Sequence, residues 1–343
     1  MAHPSAPTMA HVARRAGVSH QTVSRVLNDA SAVRPETRDR VLRAIAELGY
    51  RRNSAARALV TRRSGLIGVI VDELPLYGPA STVTGIAEAA RAAGYGVTLD
   101  PLFSITGSTL AAAIEHHLSQ SVEAIVLVTA HGEAPDESLL KSIDVPLIAL
   151  DGFLGPGAPT AGVDQRAGGV MATRHLLDLG HRHIAHITGP PGWPQADARL
   201  IGFHDALAQA GVEPGPVVPG DWSPRAGHDG ILRILEDDPR VTAVFVANDQ
   251  MATGTLRALA ERGLRVPDDI SVVGFDDIPE AAFFQPPLTT IRQDFASLGH
   301  AAVRLVVGAL AGEDVPSAFV PPRLMTRAST GRPPRRRGAA RPG

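Results

Sequence analysis

Polar side chains that could bind a small hydroxylated molecule recur where apolar runs of the chain end. Asp151 closes the run PLIALD, Asn248 follows AVFVA, and Asp276 follows ISVVGF. Carboxylates accept hydrogen bonds and amides donate and accept them, so these residue types suit the hydroxyl groups of a sugar. Arg199, near the start of a predicted helix, adds a planar set of donors, and Trp222 adds an apolar face for a sugar ring. Taken singly, each is also typical of a helix cap or an ion pair.

A second set of polar side chains lies near the N-terminus, on a segment patterned as a helix-turn-helix. Thr8 and Ser19 are predicted to cap two short helices, and Gly17 gives the turn between them its backbone freedom. Val23 and Val26 face inward on the second helix. The outward positions are polar or cationic: His20, Gln21, Ser24, Arg25 and Asn28. Such side chains at the start of a helix are what reading of bases in the DNA major groove requires, although an ordinary helical hairpin is the alternative.

The next segment extends this helical unit. Pro35 suits the first turn of a third helix, and Gly49 ends it. The apolar stripe that closes the small core is predicted to be Val41, Leu42, Ile45 and Leu48. Asn53 then caps a brief Ala-rich helix over residues 54–60. Because a short helix with little apolar surface is marginal in water, we expect this helix to need a partner.

From residue 65 onward, short apolar runs alternate with helical stripes. Strands are predicted at 66–71, 96–99, 124–128, 146–150, 183–187, 243–247 and 270–275, and helices include 82–93, 165–179, 196–210, 225–236 and 249–262. This alternation predicts an α/β fold of parallel sheets with helical crossovers. The segment is too long for one core, so we expect two lobes with a ligand between them, at the carboxyl ends of the strands. A duplicated dinucleotide-binding enzyme would show the same alternation, but no G-x-G-x-x-G, phosphate loop or G-x-S-x-G is present.

The charges of the chain are divided between its two parts. Residues 1–63 hold 12 arginines, no lysine and 4 acidic residues, a net charge of +8, whereas residues 64–330 hold 16 basic and 31 acidic residues, a net charge of −15. A basic head favours phosphates, with an affinity that falls as salt rises. The absence of cysteine excludes disulfides and thiol catalysis. No long apolar run and no signal-peptide pattern occur, so we expect a cytoplasmic, nucleoid-associated protein without a membrane partner.

The run from residue 8 to residue 65 resembles the DNA-binding headpiece and hinge of the lactose/galactose repressor (LacI/GalR) family. The resemblance continues to about residue 330 through VANDQMATG and PPLTTIRQDF. It implies a helix-turn-helix headpiece and hinge helix, followed by a two-lobed periplasmic-binding-protein-like core with three crossings between the lobes. The implied domains are a disordered lead (1–7), the headpiece (8–52), the hinge helix and linker (53–63), the core (64–330) and a disordered basic tail (331–343). Lobe 1 is about 64–163 plus 292–320, and lobe 2 is about 164–291 plus 321–330.

The resemblance also implies which residues contact DNA. Gln21 and Arg25 are expected at base edges with His20 beside them, and Leu59 matches the family's hinge leucine, which wedges into the minor groove. A contact between two hinge helices is the alternative for Leu59. The full expected set is Thr8, Ser19, His20, Gln21, Thr22, Ser24, Arg25, Asn28, Arg34, Asn53, Ala56, Arg57 and Leu59.

For the ligand, the family's effector pocket maps onto residues of both lobes. The polar and aromatic set is Asp151, Arg199, Trp222, Asn248, Asp276, Gln293 and Phe295, with Leu76 and Pro79 as apolar contacts. Asp72 stands where the family member closest in motifs has a serine after the first strand. An added carboxylate there predicts a contact to an extra hydroxyl group of the ligand.

These observations together predict a repressor of carbohydrate-utilisation genes. We expect a homodimer that binds double-stranded, pseudo-palindromic operator DNA and is released by a neutral sugar. No cofactor is expected. A metal site at His181, His183 and His186 is not expected either, because these residues do not share one face of a strand. Two alternatives stay open at this point: a family regulator that needs a purine-like corepressor or a partner protein, and a sugar-processing enzyme.

Overall fold

The structure is a computed structural model in which the chain forms two compact units, Met1–Ser64 and Gly65–Gly343. It describes residues 7–28, 33–51, 63–103, 105–129, 137–151, 154 and 159–334. The predictions for Asn53, Ala56, Arg57 and Leu59 in the hinge, and for the tail beyond residue 334, lie outside the described residues.

The described part of the first unit contains three helices: α1 (Met9–Ala16), α2 (His20–Asn28) and α3 (Pro35–Leu48). Gly17 ends α1 with a φ of 64°, and the Ser19 hydroxyl accepts a hydrogen bond from the Thr22 backbone N–H at 3.1 Å, so Ser19 caps α2 as predicted. The small core holds Val12, Ala13, Ala16, Val23, Val26, Val41, Ala44 and Tyr50. Leu42 was wrongly predicted to belong to this core. It is about half exposed, because the buried face of α3 runs through Val41 and Ala44.

The second unit contains two six-stranded sheets, and this confirms the predicted fold class. The first sheet has the order β11-β5-β4-β3-β1-β2 and is parallel throughout: β1 (Leu66–Asp72), β2 (Gly96–Leu102), β3 (Ala124–Val128), β4 (Leu147–Leu150), β5 (Thr160–Val163) and β11 (Ala318–Val320). The second has the order β12-β10-β9-β8-β6-β7: β6 (Ile184–Thr188), β7 (Val217–Pro219), β8 (Ala243–Val246), β9 (Ser271–Asp276), β10 (Thr289–Arg292) and β12 (Arg323–Met325). Only β12 runs antiparallel, along β10.

Helices connect the strands of both sheets. In lobe 1, which holds the first sheet, they are α4 (Tyr77–Ala92), α5 (Gly107–Ser119), α6 (Glu137–Ser142) and α11 (Phe295–Ala311). In lobe 2 they are α7 (Gln165–Asp178), α8 (Pro194–Gln209), α9 (Pro224–Asp237) and α10 (Asp249–Glu261), with a short 3-10 helix at Pro279–Phe283. The central strands β1, β3, β8 and β9 are apolar and buried, as strands covered by helices on both faces must be.

The chain passes between the lobes three times. It leaves lobe 1 after β5 and enters α7, returns after β10 into α11, and crosses again between β11 and β12. The strands β5, β7, β10 and β11 were not predicted, because each has only three or four residues and none carries four consecutive apolar residues as β4 and β8 do. None of the helices in the described part of the chain has the length and apolar character that a membrane span needs.

Two glycines let α7 and α8 pack with their backbones almost in contact. A Cβ atom on Gly169 of α7 would lie 2.3 Å from the carbonyl oxygen of Arg199, and one on Gly202 of α8 would lie 2.3 Å from the carbonyl oxygen of Arg166. The backbone that carries Arg199 is therefore seated directly on Gly169, and the position of the arginine depends on this contact.

We expect the Gly169→Ala substitution to destabilise the protein by about 1–3 kcal/mol, since the backbone of α8 must move to accept the methyl group. The matched control is Gly107→Ala at the start of α5, where a Cβ meets no atom within 4 Å. That change is expected to be neutral or slightly stabilising. Chemical denaturation of both variants measures the difference, and equal free energies of unfolding would contradict the close packing.

Candidate functional site

A cavity of about 740 Å³, open to solvent, lies in the second unit between the two lobes. The residues at the carboxyl ends of strands form much of its wall: Thr129 follows β3, Asp151 follows β4, Asn248 follows β8, and Asp276 ends β9. This is where ligands bind in parallel α/β sheets, because the loops that follow the strands converge there. The cavity is therefore the candidate ligand site.

The structure brings together every predicted ligand residue except one. The residues on the wall are Leu76, Pro79, Asp151, Arg199, Trp222, Asn248, Asp276, Gln293 and Phe295. Asp72 does not line the cavity: it is the last residue of β1 and is completely buried. The carboxylate of Asp72 is thus not on the surface that a ligand in this cavity meets.

Arg199, on the first turns of α8, is buried and held on several sides. Its Nε donates to Gln165 Oε1 at 2.9 Å, and its Nη1 donates to the backbone carbonyl of Ala247. The guanidinium carbon lies 3.8 Å from the ring centroid of Phe275 and 5.5 Å from that of Trp222, within the range of a cation–π contact. With two of its three nitrogens engaged by the protein, Arg199 presents mainly Nη2 to its surroundings.

Asp276 faces that remaining nitrogen. Its Oδ1 lies 3.8 Å from Arg199 Nη2 and accepts a hydrogen bond from Gln293 Nε2 at 2.6 Å. Burial raises the pKa of Asp276 to about 6, although the arginine charge and the hydrogen bond from Gln293 both oppose the rise. The group therefore titrates closer to neutrality than an exposed aspartate does.

Asp151 lies across the cavity at the end of β4. Its Oδ2 accepts from Gln195 Nε2 at 3.3 Å and its Oδ1 from the Val163 backbone N–H at 3.3 Å. Burial raises the pKa of this carboxyl also, and its two hydrogen bonds and the charge of Arg199 counteract the rise. Two carboxylates and one arginine thus give the wall an excess of negative charge when both acids are ionised.

Backbone strain is concentrated at three of these residues. Asp151, Trp222 and Asp276 have φ values of 54°, 70° and 110°. Positive φ is uncommon for a residue other than glycine, above all for a bulky tryptophan. Such conformations persist where the surrounding structure over-determines them, and they cluster at ligand sites. This supports a functional reason for the orientation of the three side chains.

Asn248 has a structural role as well as a place on the wall. Its Oδ1 caps α10 by accepting from the Met251 backbone N–H at 2.9 Å, and its Nδ2 donates to the carbonyl of Trp222 at 3.2 Å. Asp249, the next residue, is wholly structural: it accepts hydrogen bonds from Thr290 Oγ1 at 2.6 Å and the Ile278 N–H at 2.9 Å. Asp277 likewise pairs with Arg292 and Arg327, at 2.6 Å each.

Three polar atoms of the wall have no hydrogen-bond partner among the described residues, although they are buried. They are Trp222 Nε1, which can only donate, Gln195 Oε1, which can only accept, and the Thr129 hydroxyl, which can do both. A buried polar group without a partner costs about 1–3 kcal/mol. A ligand that pairs with these atoms would recover that free energy, so they mark the part of the wall prepared for hydrogen bonding.

Several wall residues were not predicted from the sequence, namely Tyr77, Thr129, Gln165, Trp193, Gln195 and Gln250. Thr129 had a usable signal, since it follows a predicted strand as Asp151 does. The others lie on helices or loops that tertiary packing turns towards the cavity. Trp193 and Trp222, the two tryptophans of the chain, meet edge to face with ring centroids 5.5 Å apart. The intrinsic fluorescence of the protein therefore reports on this cavity.

The first unit carries the second candidate site, the exposed face of α2. Ser19, His20, Gln21 and Arg25 are exposed, and Thr22 and Ser24 are partly exposed; the side chain of Asn28 is not described. Thr8 and Arg34, at the starts of α1 and α3, are exposed as well. The N-terminus of α2, with its partial positive charge, is thus surrounded by polar and cationic side chains that suit an anionic partner.

Two of the three histidines considered as metal ligands, His181 and His186, are buried in the core, whereas His183 is partly exposed. His181 precedes β6 and is hydrogen-bonded to Thr242, Ser271 and the Gly331 carbonyl. His186 is stacked between Phe203 and Phe245, and burial lowers its pKa to about 3. Among the described residues, no three His, Asp or Glu side chains are grouped as a metal site.

Comparison with known proteins matches segments of both units to known protein families. Residues 8–53 match the bacterial regulatory proteins of the lacI family, and residues 173–330 match the periplasmic binding protein-like domain. The lactose operon repressor of Escherichia coli (strain K12) is 36% identical over 330 residues, which cover 94% of this chain and 90% of the relative.

Two solved structures are similar over nearly their whole length. The lac repressor dimer bound to operator and the anti-inducer ONPF has a TM-score of 0.81 and 35% identity, covering 95% of this chain and 99% of that chain. The complex of the transcriptional regulator CelR with cellobiose has a TM-score of 0.70 and 34% identity, covering 94% and 99%.

The fold and the two sites define a class of protein, a DNA-binding transcriptional repressor with a ligand-binding core. This chain belongs to the lacI family of bacterial regulatory proteins. Its relatives are transcriptional regulators, which decides against the alternative of a sugar-processing enzyme.

Proposed function

We propose that this repressor binds as a homodimer to a pseudo-palindromic operator in the cytoplasmic nucleoid. We propose further that a neutral sugar, a galactoside or a related β-linked glycoside, binds in the cavity and releases the DNA. Carbohydrate-utilisation genes are the proposed targets. The similarity to a repressor bound to operator and to a regulator bound to cellobiose, a β-linked disaccharide, supports both parts.

The observation that carries the sugar assignment is the set of open hydrogen-bonding groups on the cavity wall. Three buried atoms have no hydrogen-bond partner among the described residues, namely Trp222 Nε1, Gln195 Oε1 and the Thr129 hydroxyl. The carboxylates of Asp151 and Asp276 can accept further hydrogen bonds. A sugar offers hydroxyl groups that donate and accept in several directions, and its ring has an apolar face for Trp222. Few other small molecules match so many directed groups beside an aromatic face.

The electrostatics of the cavity disfavour a phosphorylated sugar. The carboxylates of Asp151 and Asp276 would repel a phosphate group. Arg199 is the one cationic side chain on the described wall, and its Nε and Nη1 are already bonded to Gln165 and Ala247. A side-on bidentate Arg–phosphate contact through Nε and Nη2 would have to break the bond to Gln165.

In the proposed mechanism, the effector stabilises one arrangement of the two lobes, because its hydrogen-bonding partners come from both. Thr129 and Asp151 belong to lobe 1, whereas Gln195, Arg199 and Trp222 belong to lobe 2. The changed arrangement disfavours the dimer that holds two headpieces at the spacing of the operator half-sites. By linkage, operator weakens effector binding by the same factor by which effector weakens operator binding.

Calorimetry and tryptophan fluorescence with galactosides, cellobiose, glucose 6-phosphate and purine bases test this assignment. We expect a neutral glycoside to bind and to lower operator affinity in a parallel DNA-binding assay. Binding of a purine that raises operator affinity would favour the corepressor alternative. Binding of a phosphosugar or purine without binding of any neutral sugar would overturn the sugar assignment.

We expect effector affinity to fall by roughly tenfold between pH 7.5 and pH 5. A sugar hydroxyl donates to the ionised carboxylate of Asp276, whose pKa of about 6 means that about nine-tenths of the molecules are protonated at pH 5. The raised pKa of Asp151 acts in the same direction. Fluorescence titration across this range measures the effect. The Asp276→Asn variant, which cannot titrate at this position, should show a flatter profile, and an unchanged profile in that variant would contradict the role of Asp276.

A further inference from the structure

Four side chains on the wall of the cavity form a closed ring of polar contacts. Arg199 Nε donates to Gln165 Oε1 at 2.9 Å, Gln165 Nε2 donates to Gln293 Oε1 at 2.8 Å, and Gln293 Nε2 donates to Asp276 Oδ1 at 2.6 Å. The 3.8 Å ion pair between Asp276 and Arg199 closes the ring. All four residues are buried although they lie on the cavity wall, so little of the ring is exposed to water that could replace its bonds.

The ends of this chain of hydrogen bonds fix its direction. A guanidinium only donates, so the oxygen of Gln165 must face Arg199. An ionised carboxylate only accepts, so the nitrogen of Gln293 must face Asp276. The remaining nitrogen of Gln165 and oxygen of Gln293 then meet in the one pairing that makes a hydrogen bond. Turning either amide over would set donor against donor or acceptor against acceptor.

The ring also lies where the chain passes between the lobes. Gln165 is the first residue of α7, directly after the crossing from β5, and Gln293 lies on the return crossing between β10 and α11. Their mutual hydrogen bond therefore joins two of the three crossings. Arg199 and Asp276 connect the same bond to the cavity.

We propose that Gln165 is a positioning residue: it relays hydrogen bonds in one direction from Arg199 through Gln293 to Asp276 and so holds both charged groups and two crossings in one arrangement. The proposal rests on the proposed function only in assigning these charged groups to effector binding. Glutamate cannot take the place of Gln165 in this arrangement, because it has no N–H to donate to Gln293.

The Gln165→Glu variant tests the relay through folding stability, without any effector. Gln293 would have to turn its nitrogen towards the introduced carboxylate and set its oxygen against Asp276, so we expect a marked fall in stability. Adding Asp276→Asn should restore the hydrogen bonds with the direction of Gln293 reversed. Arg199 and Gln293 Nε2 would then both donate to the carboxylate introduced at position 165, and the amide introduced at position 276 would donate to Gln293 Oε1. The double variant should therefore be more stable than Gln165→Glu alone. If the losses of folding stability caused by Gln165→Glu and Asp276→Asn simply added in the double variant, the proposed relay would be overturned.

Removal of charge repulsion alone could also stabilise the double variant, and a third substitution separates the two causes. Gln293→Met keeps the length of the side chain but cannot pass on a hydrogen bond. In a protein that carries both Gln165→Glu and Gln293→Met, we expect Asp276→Asn to restore less folding stability than it does when Gln293 is present. Simple repulsion between positions 165 and 276 would leave the restored stability unchanged, and that result would contradict the proposal. Gln209→Glu, an exposed change next to Arg174 at the end of α8, is the matched control and should leave stability near the parental value.

A pH titration of tryptophan fluorescence gives a readout that a merely structural role would not move. The charged and titratable groups around Asp276 are Arg199 from α8, Asp249 from α10, Tyr77 from α4, Asp151 after β4 and Asp277 beside it. In the Gln165→Glu variant, we expect the fluorescence transition that reports the protonation of Asp276 to move to higher pH, because the oxygen of the turned Gln293 amide now faces this carboxyl group. In the double variant that also carries Asp276→Asn, the transition should vanish. An unmoved transition would overturn the relay. The stability measurements and the pH titration are made without sugar, so their outcome tests only the relay. The calorimetry with sugars tests the sugar assignment separately.

Discussion

The Arg199→Ala variant should bind operator and no longer respond to effector. Removing the guanidinium takes away a charged hydrogen-bond donor from the cavity, and such bonds contribute about 1.5–3 kcal/mol, so effector affinity should fall by roughly ten- to a hundredfold. It also leaves the buried Asp276 without its cation, and breaking a buried pair costs about 3–5 kcal/mol of folding stability. Tryptophan fluorescence measures effector binding, and operator release measured in the same samples reports the response.

The matched control is Arg166→Ala, which removes an exposed arginine from α7 that pairs with Asp205 at 2.6 Å. We expect this variant to keep the parental effector response and nearly the parental stability, because exposed ion pairs contribute little. A parental response in Arg199→Ala, or an equal loss in Arg166→Ala, would remove Arg199 from the effector site.

A second large effect is expected in the headpiece. Arg25 is exposed on α2, the candidate reading helix, and an arginine that pairs with the edge of a guanine discriminates against a wrong base by about 1–3 kcal/mol. The Arg25→Ala variant should therefore lose roughly ten- to a hundredfold of its preference for operator over random DNA, while salt-sensitive background binding persists. Footprinting with competitor DNA measures this ratio.

Arg40→Ala removes the same charge from an exposed position on α3 and separates base reading from general attraction to DNA. It should lower binding to all DNA to a similar degree and leave the preference for operator intact. If the footprint of Arg25→Ala were unchanged, Arg25 would not belong to the reading surface.

Local pattern was enough for much of this protein. The helix-turn-helix, its caps at Ser19 and Gly17, and the long strands of both sheets follow from residue spacing, because the 3.6- and 2-residue periods and the capping chemistry act over a few neighbours. The position of Asp151, Asn248 and Asp276 after buried strands also placed them correctly at one edge of the sheets. Short strands such as β7 and β10 escaped, since their partners along the sheet, not their own residues, make them strands.

The side chains that complete the cavity depended on packing between distant segments. Asp72 and Asp151 both follow or end a strand, yet Asp72 is buried inside lobe 1 while Asp151 faces the cavity. The direction of each depends on the twist of the sheet and on the neighbouring helices, which residue types do not specify. Leu42 is a similar case: Val41, Ile45 and Leu48 of the predicted stripe on α3 do pack in the headpiece core, but Leu42 is about half exposed and Ala44 is buried there instead.

The sequence by itself determined the family, the two-part organisation and the chemical types of residue at the candidate sites, because these reside in motifs and in local periodicity. Only the tertiary structure decided which polar groups meet. Gln165, Arg199, Asp276 and Gln293 are far apart along the chain, and their ring exists because α7 and α8 are seated on Gly169 and Gly202 while two crossings pass side by side. Hydrogen bonds act over about 3 Å, so a network of this kind is defined by backbone positions that distant parts of the fold set together.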